Sequence, residues 1–153
     1  MVGFSLCCDQ TDSVLFELEK KIVNRSKALI TLLENLDEEF LEKISQEKGL
    51  KEIKVGDVFH CCMIGIHEKH EKKGIAQAML KEEIILAKTL GYKYSYCEAS
   101  STASFNLFVK YNFSPVLTCD PKEFEYEGTR PYQHLTDPIV ILVLNLQTGI
   151  QYQ

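Results

Sequence analysis

The chain has 153 residues, 45% of them hydrophobic and 25% charged, with a formal net charge of −5. That is enough polypeptide for one hydrophobic core, with the composition of a soluble globular protein. The acidic balance, without a polybasic tail, zinc-finger spacing or an RNP-type aromatic motif, argues against nucleic-acid binding, and the longest apolar run, Ile139 to Leu144, is far short of the roughly 18–20 residues of a membrane span.

In chain order, residues 1–8 read as a first strand. The spacing of Val14, Leu15, Leu18 and Ile22 predicts a helix over 12–24, capped by Thr11 or Asp12. A second helix is predicted from Lys27 to Lys48, ending before Gly49. It places Leu29, Ile30, Leu32, Leu33, Leu36, Phe40, Leu41 and Ile44 on one broad face. Residues 12–50 thus form a helical segment ahead of a core over 57–146. Gly56-Asp57 is a break, and Val58 to His67 is a strand apolar on both faces, hence interior to a sheet. A helix follows Gly74 and runs to about Leu90, where Gly91 stops it. Ala76, Leu80, Ile84 and Ala87 mark its buried stripe, and Lys73, Gln77, Lys81 and Lys88 its wet one. Tyr92 to Cys97 alternates as a strand does. A shorter helix runs from Ser100 to about Tyr111, with Ser100, Ser101 or Thr102 as its cap. Phe113 to Thr118 and Pro138 to Leu146 are the last strands. There is no repeat or low-complexity segment. The expectation is a single domain over 1–153, of α/β or α+β class with a mixed sheet.

The six cysteines, Cys7, Cys8, Cys61, Cys62, Cys97 and Cys119, fall as two adjacent pairs and two singles. This is not a secreted disulfide framework, and most of them sit in apolar runs where a thiol packs as a small hydrophobe. With no signal-peptide pattern at the N-terminus, a cytoplasmic protein is expected. His60, Cys61, Cys62, His67 and His70 invite a zinc reading. Adjacent strand residues point to opposite faces, however, so Cys61 and Cys62 cannot share an ion. Buried thiols beside surface histidines, with no metal, are expected.

The most informative stretch is Ile64 to Leu80, a strand, a short charged loop, a Gly turn and a helix start. The helix N-terminus after Gly74 offers unpaired N–H groups and a partial positive charge, to which Lys72 and Lys73 add. Such a corner seats a phosphate or pyrophosphate. The plainer alternative is an ordinary strand-turn-helix corner with solvated lysines.

The order strand, Gly turn, helix, strand, short helix, two strands resembles the Gcn5-related N-acetyltransferases. Gly74-x-Ala76 matches the second half of that family's central motif, and Glu71 departs from the Gln or Arg at its first position. Leu107 to Phe113 is similar to the family's short helix ending in Lys-Leu-Gly-Phe. Asn112 replaces Gly, a mild change because Asn tolerates left-handed angles. Phe108 stands where many members place a Tyr as general acid, and Tyr111 lies nearly a full turn away. Ser100 and Ser104 match the spacing of two serines credited with catalysis in the arylalkylamine branch. The helical segment and the tail from Gly128 to Leu146 resemble that branch too.

The resemblance covers nearly the whole chain. It implies a mixed, largely antiparallel sheet with a splayed strand pair and helices on both faces. It implies transfer of acetyl from acetyl-CoA to a small arylalkyl-type amine. Pyrophosphate would sit at Glu71, Lys72, Lys73, Gly74, Ile75 and Ala76. Pantetheine would lie between the splayed strands along Met63, Ile64 and Ile66, with Ser104 and Phe108 beside it. N–H groups near Met63 or Ile64 would polarise the acetyl carbonyl. Ser100 and Ser104 relay a proton, or Ser100 is simply a helix cap. Glu98 is a base, or a solvated strand-end carboxylate. His67 receives a phosphate or an amine proton. The family's strand, two helices and strand that precede this point, with their glutamate base, have no counterpart here. A protein partner or missing segment is therefore expected to cover the first strand. The alternative function is an inactive family fold kept as a structural subunit or CoA-binding module.

Overall fold

Apolar runs bounded by turn residues put five strands into one sheet in this computed structural model, which describes residues 1–10, 27–48 and 53–147. The helix expected over 12–24 lies outside the described residues. The strands are β1 (Gly3–Asp9), β2 (Val58–Ile66), β3 (Tyr94–Ala99), β4 (Ser114–Cys119) and β5 (Ile139–Asn145), in the order β1-β2-β3-β5-β4. Only β2 and β3 run parallel. The sheet is therefore mixed and largely antiparallel, as the resemblance implies.

Helices cover both faces. The helix α1 (Lys27–Lys48) lays Leu32, Leu36, Phe40 and Ile44 on Val58, Tyr94, Tyr96, Ile139 and Ile141. Phe40 stacks on Tyr96 with centroids 4.5 Å apart. On the opposite face, α2 (Ile75–Thr89) and α3 (Thr102–Lys110) bring Leu80, Ile84, Ala87 and Phe108 against Phe59, Cys61, Cys97, Ala99 and Leu142. Each such side chain fully removed from water contributes about 1.5–3 kcal/mol. Among the described residues, no helix is long and apolar enough to cross a membrane.

Two left-handed residues close helices as expected, Gly91 at φ +86° and Asn112 at φ +65°. The third strand differs from expectation by starting at Tyr94 rather than Tyr92. The Tyr92 N–H closes the end of α2 by donating to the Ala87 carbonyl at 3.0 Å, and its ring packs edge-on against Phe59. It looks like a strand residue because it is half-buried in the same core. The shift carries β3 on to Ala99 and moves Glu98 from a solvated strand end into the ladder, opposite Ile141.

The pairing of β2 with β3 covers only Val58 to Tyr94, Phe59 to Ser95 and His60 to Tyr96. Beyond His60 the two strands separate into a fork. On its other edge β2 continues against β1 to Ile66, with one irregularity. Leu6 faces Met63 and Cys7 faces Cys61, so Cys62 is an extra residue in a β-bulge. β1 is an edge strand, with Phe4 about half exposed and its ring lying over Gly65.

Candidate functional site

The fork opens a cleft of about 750 Å³ lined by Met63, Ile64 and Ile66 from β2, Glu71, Lys72, Gly74, Ile75 and Ala76 from the turn, and Glu98, Ser100, Ser104 and Phe108 from β3 and α3. Residues more than thirty positions apart in sequence are thus brought to one concavity. The site residues expected from sequence line it, except Lys73 and His67. The Lys73 ammonium instead donates to the Lys69 carbonyl at 2.9 Å, so its charge supports the loop rather than the cleft.

One end of the cleft is the start of α2. Gly74 is the N-cap at φ +78°, and no side chain caps the helix. The first N–H groups of a helix have no intrahelical partner, so those of Ile75, Ala76 and Gln77 are open to an anion. A Cβ on Gly74 would meet nothing within 4 Å; the glycine is required by its backbone angle, not by space. The preceding loop is a short 3-10 turn at Glu68–His70, capped by the His67 ring accepting from the Lys69 N–H at 3.2 Å. Lys72, at φ +58°, and exposed Glu71 flank the opening.

Along the α3 wall, Ser101 rather than Ser100 is the cap. Its hydroxyl accepts from the Ser104 N–H, and Ser104 Oγ accepts from the Ser101 N–H, both at 3.2 Å, which makes a reciprocal capping box. Ser104 Oγ also donates to the Ser101 carbonyl at 2.9 Å. Ser100 precedes the helix, so Ser100 and Ser104 share the cleft but not a helix face. Phe108 is buried, edge-on to Phe113 at 5.0 Å. The Tyr111 hydroxyl donates to the Gln77 carbonyl at 3.0 Å, and Tyr111 is not among the residues lining the cleft.

At the inner end lies a polar cluster that the sequence reading missed. Glu98 Oε2 is 2.7 Å from His60 Nε2, with side-chain exposures of 8% and 12%. The His60 ring stacks on Tyr96 at 4.3 Å. The Tyr96 hydroxyl bridges Gln10 Oε1 and Asp37 Oδ1, and Asp37, His60 and Glu98 each bring a polar atom within 4.8 Å of the other two. Burial opposes charge on His60, but the Glu98 carboxylate outweighs it and holds the imidazole well above its ordinary pKa. Burial likewise opposes ionised Glu98, and the His60 charge and hydrogen bond hold it below the ordinary carboxylate range. Asp37 carries the cost, raised by burial and then by Glu98. The cluster is an ion pair with a neighbouring carboxyl held toward its protonated form.

His60 is therefore a mostly buried residue, against the expectation of surface histidines. Cys61 and Cys62 do point to opposite faces. Cys61 Sγ lies 3.4 Å from Ser95 Oγ, and Cys62 Sγ lies 3.6 Å from Cys8 Sγ. The legible signal for Asp37 is its place on the apolar stripe of α1, one turn from Leu33 and Leu41. For His60 and Cys62 it is the two-residue spacing that gives a strand one face.

No protein-family model matches the chain. Solved structures do. A mosquito arylalkylamine N-acetyltransferase-like protein, 5b, superposes with a TM-score of 0.70 at 17% identity, over 94% of this chain and 68% of that one. The polyamine N-acetyltransferase of Drosophila melanogaster, which forms N-acetylagmatine, gives 0.69 at 12% over 94% and 69%. The C-terminal condensation domain of Ebony, solved with β-alanyl-dopamine, gives 0.68 at 19% over 94% and 66%. The chain spans about two thirds of the length of each. With its forked parallel pair, the Gly74 turn and helices on both faces of a mixed sheet, the chain has the fold of the Gcn5-related N-acetyltransferases.

Proposed function

We propose that the chain is an acetyl-CoA-dependent N-acetyltransferase whose acceptor is a small amine, of arylalkyl or related type. The observation that carries this is the fork. It joins an uncapped helix N-terminus, an unpaired stretch of β2 and a buried carboxylate in one cleft.

The pyrophosphate of CoA is held by the N–H groups of Ile75, Ala76 and Gln77, with Lys72 adding charge. Glu71, exposed at the rim, leaves this seat less positive than the Gln or Arg of the family motif would. Pantetheine lies along Met63, Ile64 and Ile66 as an added strand does, beside Phe108. The acyl carbonyl sits where N–H groups near Met63 or Ile64 meet developing oxyanion charge. Glu98 faces the amine as its base, a weak one because the ion pair with His60 holds it below the ordinary carboxylate range. The amine nitrogen bonds the acyl carbon, the carbon–sulfur bond breaks, and a proton goes to the thiolate. Phe108 has none to give, so Ser104, with Ser100 in the same cleft, relays one in from solvent and ends as the neutral hydroxyl; Ser104 is already oriented by Ser101. The mosquito, fly and Ebony neighbours, whose names and titles carry amines and their acetylation, support this reading.

A second reading has its own observation. Phe108 offers no acid and Ser104 is engaged in a cap, which suits a CoA-binding module without turnover. The open edge of β1 is where further polypeptide or a partner would add. The six cysteines are thiols without disulfides, and we place the protein in the cytoplasm.

The deciding experiment is calorimetric titration of the 153-residue chain with acetyl-CoA and CoA, followed by thiol release with tyramine, serotonin or agmatine. Binding with turnover is expected. Binding without turnover replaces the enzyme by the binding module, and the absence of heat or thermal shift at millimolar ligand removes both.

A further inference from the structure

We propose that Cys8, His60 and Cys62 form a binding site for a borderline-soft divalent cation of the zinc class, with Glu98 orienting the histidine.

Two paired strands bring the ligands together, Cys8 from β1 and His60 and Cys62 from β2. The register of β1 on β2 sets Cys8 opposite His60. Two residues on, the bulge places Cys62 on the same side, and the two sulfurs stand 3.6 Å apart. One ligand atom from each residue lies within 4.8 Å of the other two. Two thiolates bound at about 2.3 Å to a tetrahedral ion stand about 3.8 Å apart. The sulfurs therefore already hold the separation that coordination demands, and no backbone movement is needed to bridge them.

The histidine is prepared in the same sense. Its Nε2 is taken by Glu98 at 2.7 Å, leaving Nδ1 for the sulfurs. A metal-bound imidazole almost always gives its other N–H to a carboxylate or carbonyl, which fixes the tautomer and raises its basicity. The stack on Tyr96 fixes the ring plane. Two thiolates and one imidazole select zinc or cobalt over magnesium or calcium, which require oxygen ligands. Three protein ligands leave the fourth tetrahedral position open. Cys62 and Glu98 both line the cleft, so that position is reached from it. Coordination displaces both thiol protons and any proton on Nδ1, so uptake releases two to three protons. The inference does not depend on acetyl transfer.

The test uses the 153-residue chain, reduced, chelator-stripped and titrated anaerobically with Co²⁺. One equivalent should produce a thiolate-to-cobalt charge-transfer band with the visible bands of a tetrahedral ion, and Zn²⁺ should bleach them. Cys8→Ser and Cys62→Ser should each abolish the charge-transfer intensity or halve it, and Cys119→Ser should leave it unchanged. Glu98→Gln should weaken affinity roughly 10–100-fold while keeping the spectrum. As a measurement on the unsubstituted chain, Zn²⁺ should slow alkylation of Cys8 and Cys62 but not of Cys119. Absence of a charge-transfer band overturns the proposal. So does a cobalt spectrum without sulfur, which would place the ion at Asp37, His60 and Glu98 instead. Unchanged alkylation rates under Zn²⁺ overturn it as well.

Discussion

The first three residues of β2 and the last six are one strand doing two jobs. From Val58 to His60 the strand is paired on both edges, to β1 and to β3, and its side chains fill the core on both faces. The turn before it is equally tied. Asp57 holds the Lys93 ammonium at 2.7 Å and the Lys54 N–H at 2.9 Å, and the Asp9 carboxylate accepts from the Gly56 N–H. From Cys61 to Ile66 only β1 remains as a neighbour, and Met63 is 55% exposed. The root supplies stability, and the fork gives up part of its ladder to make a cleft. Substitutions should therefore divide by position along a single strand.

The largest effect belongs to the root. Phe59 is 3% exposed and packs against Tyr92 and the α2 face. Phe59→Ala should cost about 3–5 kcal/mol in denaturant unfolding. A cost under about 1 kcal/mol would mean the root is not the anchor. Next is the fork's far end. In Gly74→Asp the new carboxylate caps α2 and occupies the N–H groups an anion needs, while the left-handed backbone angle and charge repulsion add further cost. Acetyl-CoA affinity should fall roughly a hundredfold, about 3 kcal/mol, with the melting temperature little changed. Equal affinity in calorimetry would place the pyrophosphate elsewhere.

The boundary between root and fork is sensitive to pH. Glu83 of α2 lies near Cys61 with both carboxyl oxygens buried, and the weakly donating Cys61 thiol is its one polar neighbour among the described residues. Burial pushes its pKa up to about 7, opposed by the Cys61 thiol. A carboxyl raised in the folded state favours folding most fully below its unfolded pKa near 4.5. That contribution drains away as pH rises through 7. Glu83→Gln should thus gain in melting temperature relative to the parent between pH 5 and pH 8; parallel pH curves would show the group is solvated. The smallest effect is at the cleft wall. Ser101→Ala removes one arm of the capping box and should cost about 1 kcal/mol. A large loss of turnover at unchanged stability would instead give Ser101 the role proposed for Ser104.

Element order, the covered faces of α1 and α2, and the Gly74 turn were legible because each is written in local periodicity or a single residue type. Most of the cleft lining was legible through resemblance. What stayed hidden depends on long-range register. His60 meets Glu98 only because β2 and β3 run parallel at that point and then part. Cys8 meets Cys62 only because of a bulge, and no local propensity announces a bulge between two apolar strands. Of the three candidate caps in a row, Ser100, Ser101 and Thr102, the reciprocal bond to Ser104 selects Ser101. Lys73 was assigned to the site by its charge, and a backbone carbonyl one turn earlier claims it.

The bulge at Cys62 has a consequence for inheritance. A strand assigns its side chains to two faces by odd and even position, and one extra residue exchanges the assignment for everything beyond it. Loss of a single codon at this point would join Cys61 directly to Met63 and make the β1 ladder regular. It would leave Met63 to Ile66 on their present faces, whereas pairing Cys62 with Leu6 would turn them over and hide what now faces the cleft. The extra residue at Cys62 is thus what lets the sequence parity change while the cleft-facing side chains stay in place.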